Sequence, residues 1–181
     1  NHGKGLFPTA KYLECDSNTE IFADASVQGH GGKIILWSDR GTIFDGKLYA
    51  QGGPQGGNGG YIETSSGHHF VGTHGKVSTL APQGQLGKWA LDPLSIQIGI
   101  TPYQVVTLAQ LADTSNNSVY LVDPAFLAGQ TGPLNIMLEA VQGTSSSQNI
   151  QVGNNTTSSI SVINPNSNVS VLFDTVSIND S

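Results

Sequence analysis

Three histidines, His68, His69 and His74, and three carboxylates, Asp39, Asp45 and Glu63, lie near the middle of the sequence. Histidines hold zinc when three or four ligands converge tetrahedrally. His68 and His69 are adjacent, and adjacent residues on a strand face opposite ways. No cysteine lies nearby to complete a site. The histidines therefore read as surface residues, and no metal or other cofactor is expected. Two carboxylates can hydrolyse a glycosidic bond when they flank it roughly 5–10 Å apart. Stacked strands can bring Asp39, Asp45 and Glu63 that close, so a polysaccharide-degrading enzyme stays open as an alternative. A polysaccharide lyase would want basic residues to neutralise a substrate acid, and Arg40 is the single arginine. No G-x-S-x-G nucleophile motif occurs. The chain reads as a non-enzyme.

Trp37, Tyr49 and Tyr61 offer flat apolar rings with polar edges, the surfaces on which sugars stack. They are candidate glycan contacts. The competing reading makes Trp37, together with Trp89, a packer in the core or at corners. The one cysteine, Cys15, has no partner in the chain and reads as a small buried hydrophobe. "GGPQGGNGG", residues 52–60, contains Gly52, Gly53, Gly56, Gly57, Gly59 and Gly60. A P-loop would need Lys-Ser/Thr after its last glycine, and none follows. A calcium-binding β-roll repeat would need an aspartate where Tyr61 and Ile62 stand. The remaining reading is a tight structural turn, where glycine permits close backbone approach.

The whole chain has 181 residues, length enough for one domain with a core. Charged residues make up 11%, against roughly 25% in an average soluble domain. All seven Lys and Arg lie at or before Lys88, and the net charge is −6. A nucleic-acid partner would need a basic stripe, so none is expected. No stretch has the 18 or more apolar residues of a membrane helix, and no signal segment opens the chain.

Helical periodicity is weak, and Gly or Pro interrupts most windows. Short strand signals are frequent, among them KIILWS (33–38), KLYA (47–50), YIET (61–64), KVSTL (76–80), SIQI (95–98), VYLV (119–122), NIML (135–138), ISVI (160–163) and VSVLF (169–173). Asp123, Pro124 and Gly129 mark the cap, first turn and stop of one short helix near residues 124–128. Two repeat series run through the first half. Ile21-Phe22, Ile43-Phe44 and His69-Phe70 are 22 and 26 residues apart. "GGKIILWSD", "GGYIETSS" and "GKWALDP" start at Gly31, Gly59 and Gly87, a constant step of 28. Such repetition of strand and glycine predicts an all-β solenoid, a right-handed parallel β-helix, with Phe22, Phe44 and Phe70 stacked inside it. The glycine run would form its corner.

Residues 31–98 resemble the β-helical shaft of secreted adhesins of the filamentous haemagglutinin type, the exoproteins of two-partner secretion. The resemblance is carried, in order, by "GGKIILWSD" (31–39), "FDGKLYAQGGPQGGNGGYIETS" (44–65) and "APQGQLGKWALDPLSIQI" (81–98). Gln51 stands where such proteins often have arginine, and Trp89-Ala90 replaces a more usual aliphatic pair. The resemblance implies rungs over 21–98, a continuing β-helix or β-rich cap over 99–181, and leaves 1–20 unplaced. It also implies a secreted or surface location, an outer-membrane secretion partner, a role in adhesion or assembly, and no catalytic residues in this stretch. Partners would be neighbouring β-helix segments, identical copies end to end, or a host glycan or surface receptor. Three alternatives remain: a self-assembling filament subunit, a glycan-binding module, and the polysaccharide-degrading enzyme.

Overall fold

The computed structural model describes residues 7–72, 74–91, 96–98, 121–122, 130, 134–139, 150–152 and 169–174. Every element among them is a β-strand: β1 Ala10–Cys15, β2 Glu20–Phe22, β3 Lys33–Phe44, β4 Lys47–Tyr49, β5 Tyr61–Ser66, β6 His69–Gly72, β7 Lys76–Ser78, β8 Lys88–Leu91, β9 Ile96–Ile98, β10 Leu121–Val122, β11 Leu134–Glu139, β12 Ile150–Val152 and β13 Val169–Asp174. They form a ten-stranded and a three-stranded sheet. Each strand pairing is parallel. Parallel neighbours cannot be joined by a hairpin, so the chain must travel away and return between them.

That return has a regular step in the first half. Lys33 stands opposite Tyr61, 28 positions on, and Tyr61 opposite Lys88, 27 positions on. In the three-stranded sheet Glu20 faces Lys47 and Lys47 faces Lys76. β3 serves β5 and β6 in succession and also pairs with β1. Its first half pairs with β5, and its second half, from Gly41 to Phe44, pairs with β6 and β1. The alternation of buried and exposed residues along β3 resets at the exposed pair Asp39–Arg40. The paired chain bends at the matching place, Gly67–His68.

Period-two patterning then builds the core, because alternate residues of a strand share a face. Ile34, Ile62, Trp89 and Ile136 form one continuous buried row across four strands of the large sheet. Ile21, Leu48 and Val77 form the row of the small sheet. Both rows belong to one hydrophobic cluster with Leu36, Phe44 and Leu91, so the two sheets share a core. A polar seam runs beside it. Thr42 Oγ1 donates to the Ser65 carbonyl at 2.9 Å and sits 2.9 Å from Ser38 Oγ. Such pairing removes the penalty of burying hydroxyls.

The three phenylalanines do not form one internal stack. Phe44 is fully buried, but Phe22 is 60% exposed. Phe22 belongs to the small sheet, where it pairs with Tyr49 and stacks on its ring at 4.8 Å. Phe70 pairs with Thr42, one row away from Phe44, whose own neighbours are Cys15 and Gly72. The side chain of Phe70 is outside the described residues. The spacings of 22 and 26 miss the 27–29-residue register, so these positions cannot coincide in successive passes. The helix expected near 124–128 and the strand expected at 160–163 also lie outside the described residues. β1 falls within the N-terminal segment that sequence patterning left unplaced.

On the side of β7 away from β4, one side chain meets two of the strand's backbone groups. Lys76 N–H donates to the Gly46 carbonyl on the β4 side, so the alternating Gly75 C=O and Val77 N–H point the other way. Gln130 meets both: its Oε1 accepts from Val77 N–H at 3.0 Å, and its Nε2 donates to the Gly75 carbonyl at 2.9 Å. The primary amide thus stands in for the peptide group of a further strand, and Gln130 is buried there. Gln130→Leu keeps the volume but strands two backbone groups. It should cost about 1–3 kcal/mol in urea unfolding; no change in midpoint would show the amide to be dispensable.

Candidate functional site

The site is built on a corner that the chain turns three times. Gly32 N–H donates to the Ala23 carbonyl, Gly60 N–H to Ala50, and Gly87 N–H to Thr79, at 2.6, 2.7 and 3.0 Å. Successive corners are bonded to each other: Tyr61 N–H to the Gly32 carbonyl and Lys88 N–H to Gly60, both at 3.0 Å. Side chains continue the ladder. Asn58 N–H donates to His30 Nδ1 at 2.8 Å, and Gln85 N–H donates to Asn58 Oδ1 at 3.0 Å.

Glycine is required where these corners touch. A Cβ on Gly60 would stand 2.0 Å from the Gly32 carbonyl oxygen. Gly57 combines a φ of +125° with a would-be Cβ 1.9 Å from the Gly29 carbonyl. The rest of the run folds back on the preceding pass: Gly53 N–H donates to the Gly29 carbonyl, and Gly29 N–H to Gly56. Gly52, Gly53, Gly56, Gly57, Gly59 and Gly60 are therefore all placed in or beside this corner.

Because glycine leaves the corner without side chains, an open groove of about 540 Å³ lies over it. Its floor is the backbone around Gly31, Gly59, Gly60 and Gly87, with Asn58 and Gln85 also lining it. Beside them runs the row Lys33–Tyr61–Lys88, one residue from each of three adjacent strands. Lys33 Nζ stands over the Tyr61 ring, 5.0 Å from its centroid. The Tyr61 hydroxyl donates to Glu63 Oε2 at 3.3 Å, and Glu63 is buried behind it.

The aromatic residues singled out in the sequence do not form one strip. Tyr61 lines the groove. Trp37 is half-buried on β3, in the row of Ser65 rather than that of Tyr61. Tyr49 belongs to the other sheet and stacks on Phe22. Trp89 is fully buried, and its Nε1 donates to Thr64 Oγ1 at 2.9 Å.

The carboxylates are engaged separately. Asp39 accepts from Thr9 Oγ1, Asp45 from His74 N–H at 3.0 Å, and Glu63 from Tyr61. Among the described residues, no group of three His, Cys, Asp or Glu side chains is placed to hold a metal ion.

Cys15 is a buried free thiol. Burial pushes its pKa above the ordinary 9.0, against hydrogen bonds from Thr19 and the Gly46 backbone that pull it down. The folded state thus holds this proton more tightly than the unfolded chain does. The Cys15 contribution to stability is complete below the unfolded value, and is lost as pH rises from that value through the folded one. Cys15→Ala should flatten that alkaline decline in thermal unfolding scans. An unchanged alkaline slope would show that the thiol does not contribute.

A scan against protein-family models finds no match, and a search of curated proteins finds no significant relative. Lys33, Lys88, Asn58 and Gln130 were not singled out by sequence motifs. The 28-residue series aligns Lys33 with Tyr61 but leaves Lys88 one position out of line, and only the 27-residue second step of the ladder brings it into the row.

Proposed function

We propose that this chain is a segment of a right-handed parallel β-helix that forms the stiff shaft of a secreted or surface-exposed adhesin. The observation that carries the reading is the repeated parallel register. One corner hydrogen bond recurs at Gly32, Gly60 and Gly87, and over residues 20–91 both sheets advance one strand every 27–29 residues. Right-handedness follows the general chirality of parallel crossovers within one sheet. Stiffness follows from continuous ladders and stacked rows, since bending the rod would break several inter-strand bonds together. The function is then geometric: a rod that holds a binding surface away from its anchor. The resemblance of residues 31–98 to filamentous haemagglutinin-type shafts supports the extracellular assignment, with export through an outer-membrane partner.

An antibody to residues 31–98 tests the proposal on culture supernatant, surface and cytosolic fractions. A surface or supernatant band of several hundred kDa, roughly the size of a multi-domain shaft, supports it. A band near 18.9 kDa confined to the cytosol overturns it.

A further inference from the structure

We propose that Asn58 is a site of spontaneous deamidation that the folded corner suppresses, so that conversion to isoaspartate marks chains left unfolded and bars them from refolding. Asn58 is followed by Gly59, and no other asparagine of the chain precedes a glycine. The reaction needs only water. The Gly59 amide nitrogen gives its proton to solvent base and attacks Asn58 Cγ. The Cγ–Nδ2 bond breaks, and Nδ2 leaves as ammonia with a proton from water. Water then opens the five-membered imide. Cleavage of its Cγ–N bond yields aspartate at position 58. Cleavage at the main-chain carbonyl yields isoaspartate, whose backbone runs through Cβ and Cγ. Glycine favours ring closure because no side chain shields its nitrogen.

The fold demands this labile pair. A Cβ on Gly59 would run into the Thr79 carbonyl oxygen, so that position takes glycine. Gln85 N–H needs an acceptor, and the Asn58 amide oxygen meets it at 3.0 Å. The same corner ties down the reacting atoms. Gly59 N–H donates to the Gln85 carbonyl at 2.9 Å, so Gln85 holds both the attacking nitrogen and the amide under attack. Asn58 N–H donates to His30 Nδ1 at 2.8 Å, and its carbonyl accepts from Gly31 N–H at 2.9 Å. Swinging Cγ onto the Gly59 nitrogen breaks both bonds to Gln85. Asn58 is exposed, so water reaches it and protection comes from these bonds rather than from burial. Isoaspartate adds one methylene to the main chain where the passes already touch: a Cβ on Gly52 would stand 2.8 Å from the Asn58 carbonyl oxygen, and one on Gly84 2.8 Å from Asn58 Oδ1. Aspartate keeps both the Oδ1 acceptor and the main-chain length. The inference rests on the corner and not on the adhesin reading; either can fail without the other.

The test incubates the full chain at mildly alkaline pH, folded in buffer and unfolded in guanidinium, and then digests it with trypsin. Cleavage after Lys47 and Lys76 separates Asn58 from Asp45-Gly46, which can close the same kind of ring. Mass spectrometry reads the exchange of –NH2 for –OH, and enzymatic methylation of isoaspartate counts that product. In guanidinium, Asn58 should react ahead of every other asparagine. In the folded chain it should react roughly tenfold more slowly or less, because reaction waits on local opening. His30→Ala removes the acceptor of Asn58 N–H. It should quicken the reaction in the folded chain and leave the rate in guanidinium unchanged. When chains aged in guanidinium are diluted back, those with isoaspartate should stay unfolded while unmodified chains of the same sample fold. Asn58→Asp should fold as the parent does. Equal rates in folded and unfolded chains, another asparagine reacting first in guanidinium, or folded His30→Ala reacting at the parent's rate would overturn the protected site. Refolding of isoaspartate chains, or failure of Asn58→Asp to fold, would overturn the refolding block.

Discussion

Trp89→Ala should lower the unfolding free energy by about 3–5 kcal/mol, the range for removing a large buried aromatic. Trp89 is fully buried at the centre of the Ile34–Ile62–Trp89–Ile136 row, so its loss opens a cavity facing both sheets. The row cannot close over that cavity, because each member is fixed in register by ladder bonds to its neighbours. Trp89→Phe separates packing from hydrogen bonding. It keeps most of the apolar contact and loses the bond to Thr64, which should cost about 1 kcal/mol. Guanidinium titrations of the three proteins check this ordering. A midpoint for Trp89→Ala equal to that of Trp89→Phe would contradict it.

Gly57→Ala should be the most damaging change in the corner. An alanine there meets two separate costs. Its backbone would sit at φ +125°, a conformation rarely adopted by residues with a side chain, and its methyl would stand 1.9 Å from the Gly29 carbonyl oxygen. Gly29→Ala isolates the first cost: φ is +131°, but the nearest atom to the new methyl is the Ala25 Cβ at 3.8 Å. Gly29→Ala should therefore cost about 1–3 kcal/mol from backbone strain alone. Gly57→Ala should cost more, because the two passes of chain must also separate. The separation strains the bonds of Gly29 with Gly53 and Gly56. Thermal unfolding of the two variants checks the difference; equal losses would mean that the close approach is relaxed in solution.

Much of the architecture was legible because the repeat is written in glycine and in alternation. The step of 28 from Gly31 to Gly59 is the register step between β3 and β5, while the next step of the ladder is 27, with Gly87 rather than its predecessor aligned on Gly60 and Gly32. Strands such as Lys47–Tyr49 and Tyr61–Ser66 announced themselves as short strand-forming runs, KLYA and YIET, bounded by turn residues. The phenylalanine series misled for a physical reason. A shared Phe is a hydrophobic coincidence, whereas a shared Gly is a steric necessity, so only the second series fixes register. β1 was not legible, because AKYLEC buries only its last residue and lacks a clean alternation. Gln130 could not be read either: its partners lie more than 50 residues earlier in sequence, and a lone glutamine carries no motif. The groove was half legible. Tyr61 stood out as an aromatic, while Lys33 and Lys88 acquire meaning only once register sets them on either side of it.

The most direct measurement is disulfide mapping in a Cys15→Ser background. Lys47→Cys with Lys76→Cys places two cysteines on neighbouring parallel strands, about 4.7–4.9 Å apart. That spacing lies within the range a disulfide spans. Lys47→Cys with Ser78→Cys sets the second cysteine two residues further along the same strand, beyond easy reach. Mild oxidation should join 47 to 76 and leave 47 and 78 free. Preferential joining of 47 to 78, or of neither pair, would contradict the parallel register and with it the proposed β-helix.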